Sequence, residues 1–146
     1  MSLLSDAFGA GAVQIVPAVA DWREATQQAG AGLVASGVAT DQYTEAMIAA
    51  IDEYGPYMVI APGLAVVHAR PSEAVKHTGM ALALVQEPVV FGSKHNDPVH
   101  AVFALAALDH DRHLELLAAF MAVAGQAGFV NSLLSCADEA QIRSLL

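Results

Sequence analysis

Two histidines in this chain are placed to do chemistry together. His68 ends a short apolar run inside the segment Gly55 to Pro71, with small residues, Arg70 and prolines around it. His113 follows a second, longer apolar run and opens a helix-like pattern. An imidazole serves as nucleophile, base or acid near neutral pH. Two of them after buried runs predict a site assembled from the ends of two strands.

The surroundings of His68 suit a phosphoryl acceptor. Gly63 permits a close backbone approach, Ala65 and Ala69 leave the ring unobstructed, and Pro71 restrains the chain beyond it. Acceptance needs a neutral ring nitrogen that attacks and fixed donors for the arriving oxygens. Arg70 offers such donors, and it reads equally well as a surface residue or a partner contact. A helix beginning at Asp109 to Asp111 places His113 in its first turn, where the dipole and free amides favour anions and disfavour an imidazolium. There His113 can donate from one nitrogen while staying neutral; the plainer alternative is a solvated side chain. His110 lies near the same helix edge.

Metal chemistry is the competing constellation. Asp109, His110, Asp111 and His113 crowd together, preceded by His95, Asp97 and His100. None has a recognised zinc spacing such as His-Glu-x-x-His, so no metal ligand is assigned. Lys76 and His77 read as a solvated face. The chain has no Gly-x-Ser-x-Gly elbow, P-loop lysine or Gly-x-Gly-x-x-Gly fingerprint. No cofactor is implied.

The elements that must hold these residues are legible as alternating patterns. Val13 to Val16 reads as a strand ended by Pro17. A helix from Ala20 or Asp21 carries Trp22, Ala25, Ala29 and Leu33 on one face and stops at Gly37. Thr40 or Asp41 caps a second helix whose face is Tyr43, Met47, Ile51 and Tyr54. Strands follow at Tyr57 to Ile60, Leu64 to Val67 and Met80 to Val85, with Val89 to Phe91 a fourth or a continuation after Pro88. Gly92 to Asp97 is a loop. Val99 to Leu108 is a central strand covered on both faces. Asp109 or Asp111 then caps a helix with Leu114, Leu117, Ala118 and Met121 as its apolar face. Gly125 to Leu134 reads as a helix or two turns, and Ser135 with Asp138 as a capping box for a last helix ending near Leu146. The expected class is α/β, a mixed sheet flanked by helices, in one domain over residues 1–146.

Composition sets limits. Of 146 residues, 55% are hydrophobic and mean hydropathy is +0.48, enough for a sizeable core. The formal net charge of -9 disfavours nucleic acid and anionic membranes as partners. A single cysteine, Cys136, excludes an intramolecular disulfide and suits a reducing compartment. The first residues carry no positively charged signal-peptide pattern, and the apolar runs are short or interrupted for a membrane span. A cytoplasmic protein without direct membrane insertion is expected. A homodimer is compatible with a small α/β domain.

With these residues in view, Gly55 to Pro71 resembles the phosphorylation-site region of enzyme IIA domains of the bacterial sugar phosphotransferase system (PTS). The likeness is to the mannitol/fructose superfamily, closest to its ascorbate branch. Phe91 to Val99, Val102 to Asp109, His113-Leu114, and the positions Trp22, Ala25, Tyr43 and Ala46 extend it through most of the chain. The resemblance implies a three-layer α/β/α sandwich of this type-2 EIIA kind. It implies that His68 accepts a phosphoryl group from the phosphocarrier HPr and passes it to a cysteine of the cognate enzyme IIB, coupled to import by the membrane enzyme IIC. It further implies that His113 is the second active-site histidine, and that neither metal nor nucleotide is required. Val67 departs from the proline that usually precedes the active histidine in that family. Two other classes stay open: a regulatory domain phosphorylated on His68 without onward transport, and a metal-dependent hydrolase using the His95 to His113 region.

Overall fold

A computed structural model describes residues 2–146. One five-stranded mixed sheet has the order β1-β4-β5-β3-β2, formed by β1 (Val13–Val16), β2 (Val59–Ala61), β3 (Leu64–His68), β4 (Gly79–Val89) and β5 (Val99–Ala106). β1 runs parallel to β4 and β3 parallel to β5, while the β4–β5 and β2–β3 pairs are antiparallel. β5 is central and its interior residues are buried, as its unbroken apolar run requires.

The two faces of the sheet differ in side-chain size. Strand alternation puts Ala81, Ala83, Val102 and Ala104 on one face and Met80, Leu82, Phe103 and Leu105 on the other. The small face receives α2 (Trp22–Ala35) so closely that a Cβ on Gly32 would meet the Ala81 methyl at 2.9 Å. α3 (Asp41–Tyr54) lies beside α2 and against β3. The large face is filled by Phe103 packing on Phe8, Phe120 and Phe129. Those rings come from the short α1 (Leu3–Ala7) and its exit, α4 (His110–Ala124) and α5 (Phe129–Leu134). The last helix, α6 (Glu139–Ser144), is tied to the start of the chain: the Arg143 guanidinium donates to the Phe8 and Gly9 carbonyls at 2.6 and 2.7 Å. Helices thus cover both faces, the three-layer arrangement expected.

Several local expectations change. α1 carries no long periodic pattern and arises from a capping box between Ser2 and Ser5. Of the two readings for the chain after Pro88, the continuation holds as far as Val89: β4 runs through Pro88 as one strand, β1 has ended by then and Gln86 to Pro88 are exposed, so no ladder bond to β1 is missed there. Tyr54 is 63% exposed, leaving Tyr43, Met47 and Ile51 as the core face of α3. α4 turns a different face inward from the one expected. Leu116, Phe120 and Ala124 are buried, whereas Leu114 and Met121 are 50% and 41% exposed. Finally, Asp138 rather than Ser135 caps α6, its carboxylate accepting from the Gln141 amide at 2.9 Å.

Candidate active site

The cleft containing His68 lies where β3 and β5 end, between α3 and α4. It encloses about 670 Å³ and is walled by Tyr54 and Tyr57, His68 to Ser72, and His110, His113 and Leu114. Carboxyl ends of parallel strands are the usual place for ligand chemistry in α/β sheets. His68 is the last residue of β3, pairs in register with Leu105, and shares the large face of the sheet with Val66. That face carries α4, and so His68 is turned toward His113.

Hydrogen bonding decides the His68 tautomer. Its Nδ1 lies 3.0 Å from the Val66 carbonyl oxygen. A carbonyl only accepts, so Nδ1 carries the proton and Nε2 keeps its lone pair. The half-buried ring is edge-on to Tyr57 at 5.8 Å between centroids and 5.1 Å from the His113 ring. Tyr57, missed as a site residue, occupies this wall because β2 begins only at Val59 and leaves Tyr57 outside the sheet. Burial, and secondarily Tyr54, raises its phenol pKa.

His113 stands in the first turn of α4. Asp109 caps that helix, accepting from the Arg112 amide at 2.8 Å through its carboxylate and from the His113 amide at 3.1 Å through its carbonyl. His113 is held below the ordinary histidine range first by burial, then by His68 and His110. The neutral ring expected from the helix dipole is therefore favoured chiefly by desolvation. The site joins one strand end to one helix start, not two strand ends. Arg70 is exposed on the rim and makes no salt bridge among the described residues.

Of the other histidines, His110 lines the same cleft and His100 lies elsewhere. His100 sits at the opposite end of β5, roughly 20 Å away at the usual rise per strand residue, and its Nδ1 donates to the Val85 carbonyl at 2.9 Å. The Asp97 carboxylate accepts from the Phe91 and Gly92 amides. Among the described residues, no three His, Cys, Asp or Glu side chains gather as a metal-binding group. The His95 to His113 region thus offers no converged ligand set for the hydrolase alternative.

Residues 7–146 match the family described as phosphoenolpyruvate-dependent sugar phosphotransferase system, EIIA 2. The chain belongs to that family. An ascorbate-specific PTS system EIIA component of Shigella boydii serotype 4 (strain Sb227) is 41% identical to this EIIA chain over 95 residues, 65% of the chain and 62% of the relative. The chain therefore spans less than two thirds of the length of the curated relatives it matches. The mannitol-specific cryptic phosphotransferase enzyme IIA CmtB of Escherichia coli superposes with a TM-score of 0.88 at 28% identity, covering 99% of this chain and 97% of CmtB. The same fold occurs in a complex of enzyme IIAMtl with phosphorylated enzyme IIBMtl from Escherichia coli, with a TM-score of 0.81, 21% identity and 94% of each chain covered. No helix among the described residues of this EIIA chain is long and apolar enough to cross a membrane.

Proposed function

We propose that this chain is the phosphocarrier of a sugar-type PTS, with His68 as its phosphoryl acceptor. The observation that carries the reading is the Val66 carbonyl on Nδ1, which leaves Nε2 as the unprotonated nitrogen in an open cleft. In the first step the Nε2 lone pair attacks the phosphorus of phosphorylated HPr. The phosphorus–nitrogen bond to HPr breaks, and its electron pair returns to the donor imidazole. In the second step a cysteine thiolate of enzyme IIB attacks the same phosphorus, and the His68 Nε2–phosphorus bond breaks in turn. No net proton is consumed.

His113 is the neighbouring donor. As a neutral imidazole it gives one N–H to a phosphoryl oxygen, and any charge it gains is attractive to the phosphoryl dianion. Arg70 on the rim supplies a fixed cation to the incoming partner or its phosphate. Positioning and electrostatics provide the acceleration, since neither transfer needs further covalent chemistry from the protein.

HPr and enzymes IIB and IIC are the partners of this reading, and the chain works in the cytoplasm. The complex of IIAMtl with phosphorylated IIBMtl supports a IIB partner at the level of fold. An ascorbate-like substrate is favoured by the 41% identity to an ascorbate-specific component. The carrier itself need never touch that substrate.

The test is intact mass after incubation with phosphoenolpyruvate, enzyme I and HPr, for the native chain and His68→Ala. One acid-labile phosphoryl addition that vanishes in the variant supports the carrier reading. An addition that persists in His68→Ala, or its absence from the native chain with active upstream proteins, overturns it. Acceptance without discharge to any IIB would move the role from transport to regulation.

A further inference from the structure

The residue that follows His68 is held by a side chain from the opposite layer of the molecule. Tyr43 lies on α3, and only 1% of its surface is exposed. Its hydroxyl oxygen is 2.7 Å from the Leu105 carbonyl oxygen, 3.0 Å from the Ala69 amide nitrogen and 3.1 Å from the Ala69 carbonyl oxygen. A phenol has one proton to give. The shorter contact assigns it to Leu105, and the oxygen accepts from the Ala69 amide.

Both backbone groups belong to the end of the sheet that presents His68. Leu105 is the register partner of His68, and Ala69 is the next residue along the chain. The hydroxyl therefore stands between the strand carrying His68 and the central strand, at the level where β3 stops. His68 itself is anchored on the other side by its own Nδ1 bond to Val66. One restraint fixes the rotation of the ring and the other fixes the direction in which the chain leaves it. Burial pushes the Tyr43 phenol up to about 12, so the proton that makes this bridge stays in place throughout the physiological range.

We infer that Tyr43 is a positioning residue for phosphoryl transfer: its buried hydroxyl sets the backbone exit at Ala69 and thereby the line of approach to His68 Nε2. This rests on the reading of His68 as the phosphoryl acceptor. In-line transfer is sensitive to displacements well under the length of a bond, and a misplacement near 1 Å costs roughly 100-fold. Removing the hydroxyl leaves the Ala69 amide and the Leu105 carbonyl to find each other or stay unpaired. Either response moves the segment from His68 to Arg70.

Tyr43→Phe keeps the ring and removes only the oxygen. Measured well below its melting temperature, the variant should accept phosphoryl groups from phosphorylated HPr roughly 10- to 100-fold more slowly. Its His68 ring-nitrogen NMR shifts should show altered sharing of the proton between Nδ1 and Nε2. A purely structural role would lower the melting temperature and leave both the rate per folded molecule and the His68 spectrum unchanged; that result overturns the inference. Should Tyr43→Phe fail to fold, hydrogen exchange on the native protein decides. A protected Ala69 amide agrees with the bridge, and exchange at the rate of an open loop overturns it. The spectrum and the exchange require no phosphoryl donor. Failure of the native chain to accept phosphate would therefore count against the carrier reading without being confused with failure of the Tyr43 assignment.

Discussion

His68 and His113 stand ring to ring, 5.1 Å between centroids and inclined at 59°, one ending a strand and the other in the first turn of a helix. Protonation of His113 is made harder first by burial and only then by the neighbouring His68 ring. On the proposed carrier reading, negative charge arrives between the two rings.

That arrangement predicts a titration with a definite sign. In the unphosphorylated protein, His113 should titrate below its ordinary value of 6.5. Phosphorylation of His68 should move it upward, because a dianion replaces a ring that repels protonation. His68→Asn should raise it only part of the way, since burial remains. Two-dimensional NMR of the imidazole carbons and nitrogens reads all three, and a downward shift on phosphorylation would contradict the site.

The same lowering makes stability depend on pH. The unfolded chain takes up the His113 proton first, so the fold loses stability as pH falls from about 6.5 toward the lower folded value. Above that window the contribution is constant. Denaturant unfolding of His113→Gln across the window should show a shallower acid loss than the native protein.

Replacing His113 should slow transfer without abolishing acceptance. Loss of a well-placed hydrogen-bond donor to the phosphoryl oxygens costs roughly 100-fold or more in rate, and His113→Gln, which keeps an N–H, should lose less than His113→Ala. Quenched-flow transfer from phosphorylated HPr measures this. Equal rates for all three proteins would remove His113 from the mechanism.

Arg70→Ala should leave folding within about 0.5 kcal/mol of native, because the side chain is exposed and makes no salt bridge among the described residues. It should weaken the encounter with a phosphorylated partner several-fold, with a smaller salt dependence than the native chain. A change confined to the chemical step at saturating partner would assign Arg70 to the phosphoryl group instead.

Gly32→Ala tests the close layer. The new methyl would meet the Ala81 Cβ on β4 at 2.9 Å and the Ala12 carbonyl oxygen just before β1 at 3.0 Å, neither of them the far end of a flexible side chain. Destabilisation of about 1–3 kcal/mol is expected from such overpacking, with the phosphoryl chemistry of folded molecules retained.

Much of this was readable because burial leaves different marks on strands and helices. The uninterrupted run of β5 could only be a central strand, and Asp109 capped α4 as its position implied. The inward face of α4 was lost because Leu114, Leu116, Leu117, Met121 and the alanines put apolar residues almost all round that helix. A signal was nonetheless there: once His113 faces the site, Leu116 and Phe120 follow it at helical spacing onto the core side. Tyr43 was visible as a core position, but nothing in its periodicity reveals a hydroxyl reaching the Leu105 carbonyl on β5 and the Ala69 amide just past β3. Tyr57 was hidden by an aromatic, β-branched run that starts two residues before β2 does.

The tight junction from β5 into α4 makes the site a matter of phase. Asp109 fixes where the helix begins, and the Thr78 hydroxyl holds the Leu108 amide at 3.1 Å just before it. One residue inserted between Asp109 and His113 would turn the imidazole about 100° around the helix axis relative to the cap and sweep it away from His68, unless Leu116 and Phe120 held the helix to the core and the cap were lost instead. This short piece of chain works as a clock setting: its length, more than its composition, decides whether two histidines from different layers ever meet.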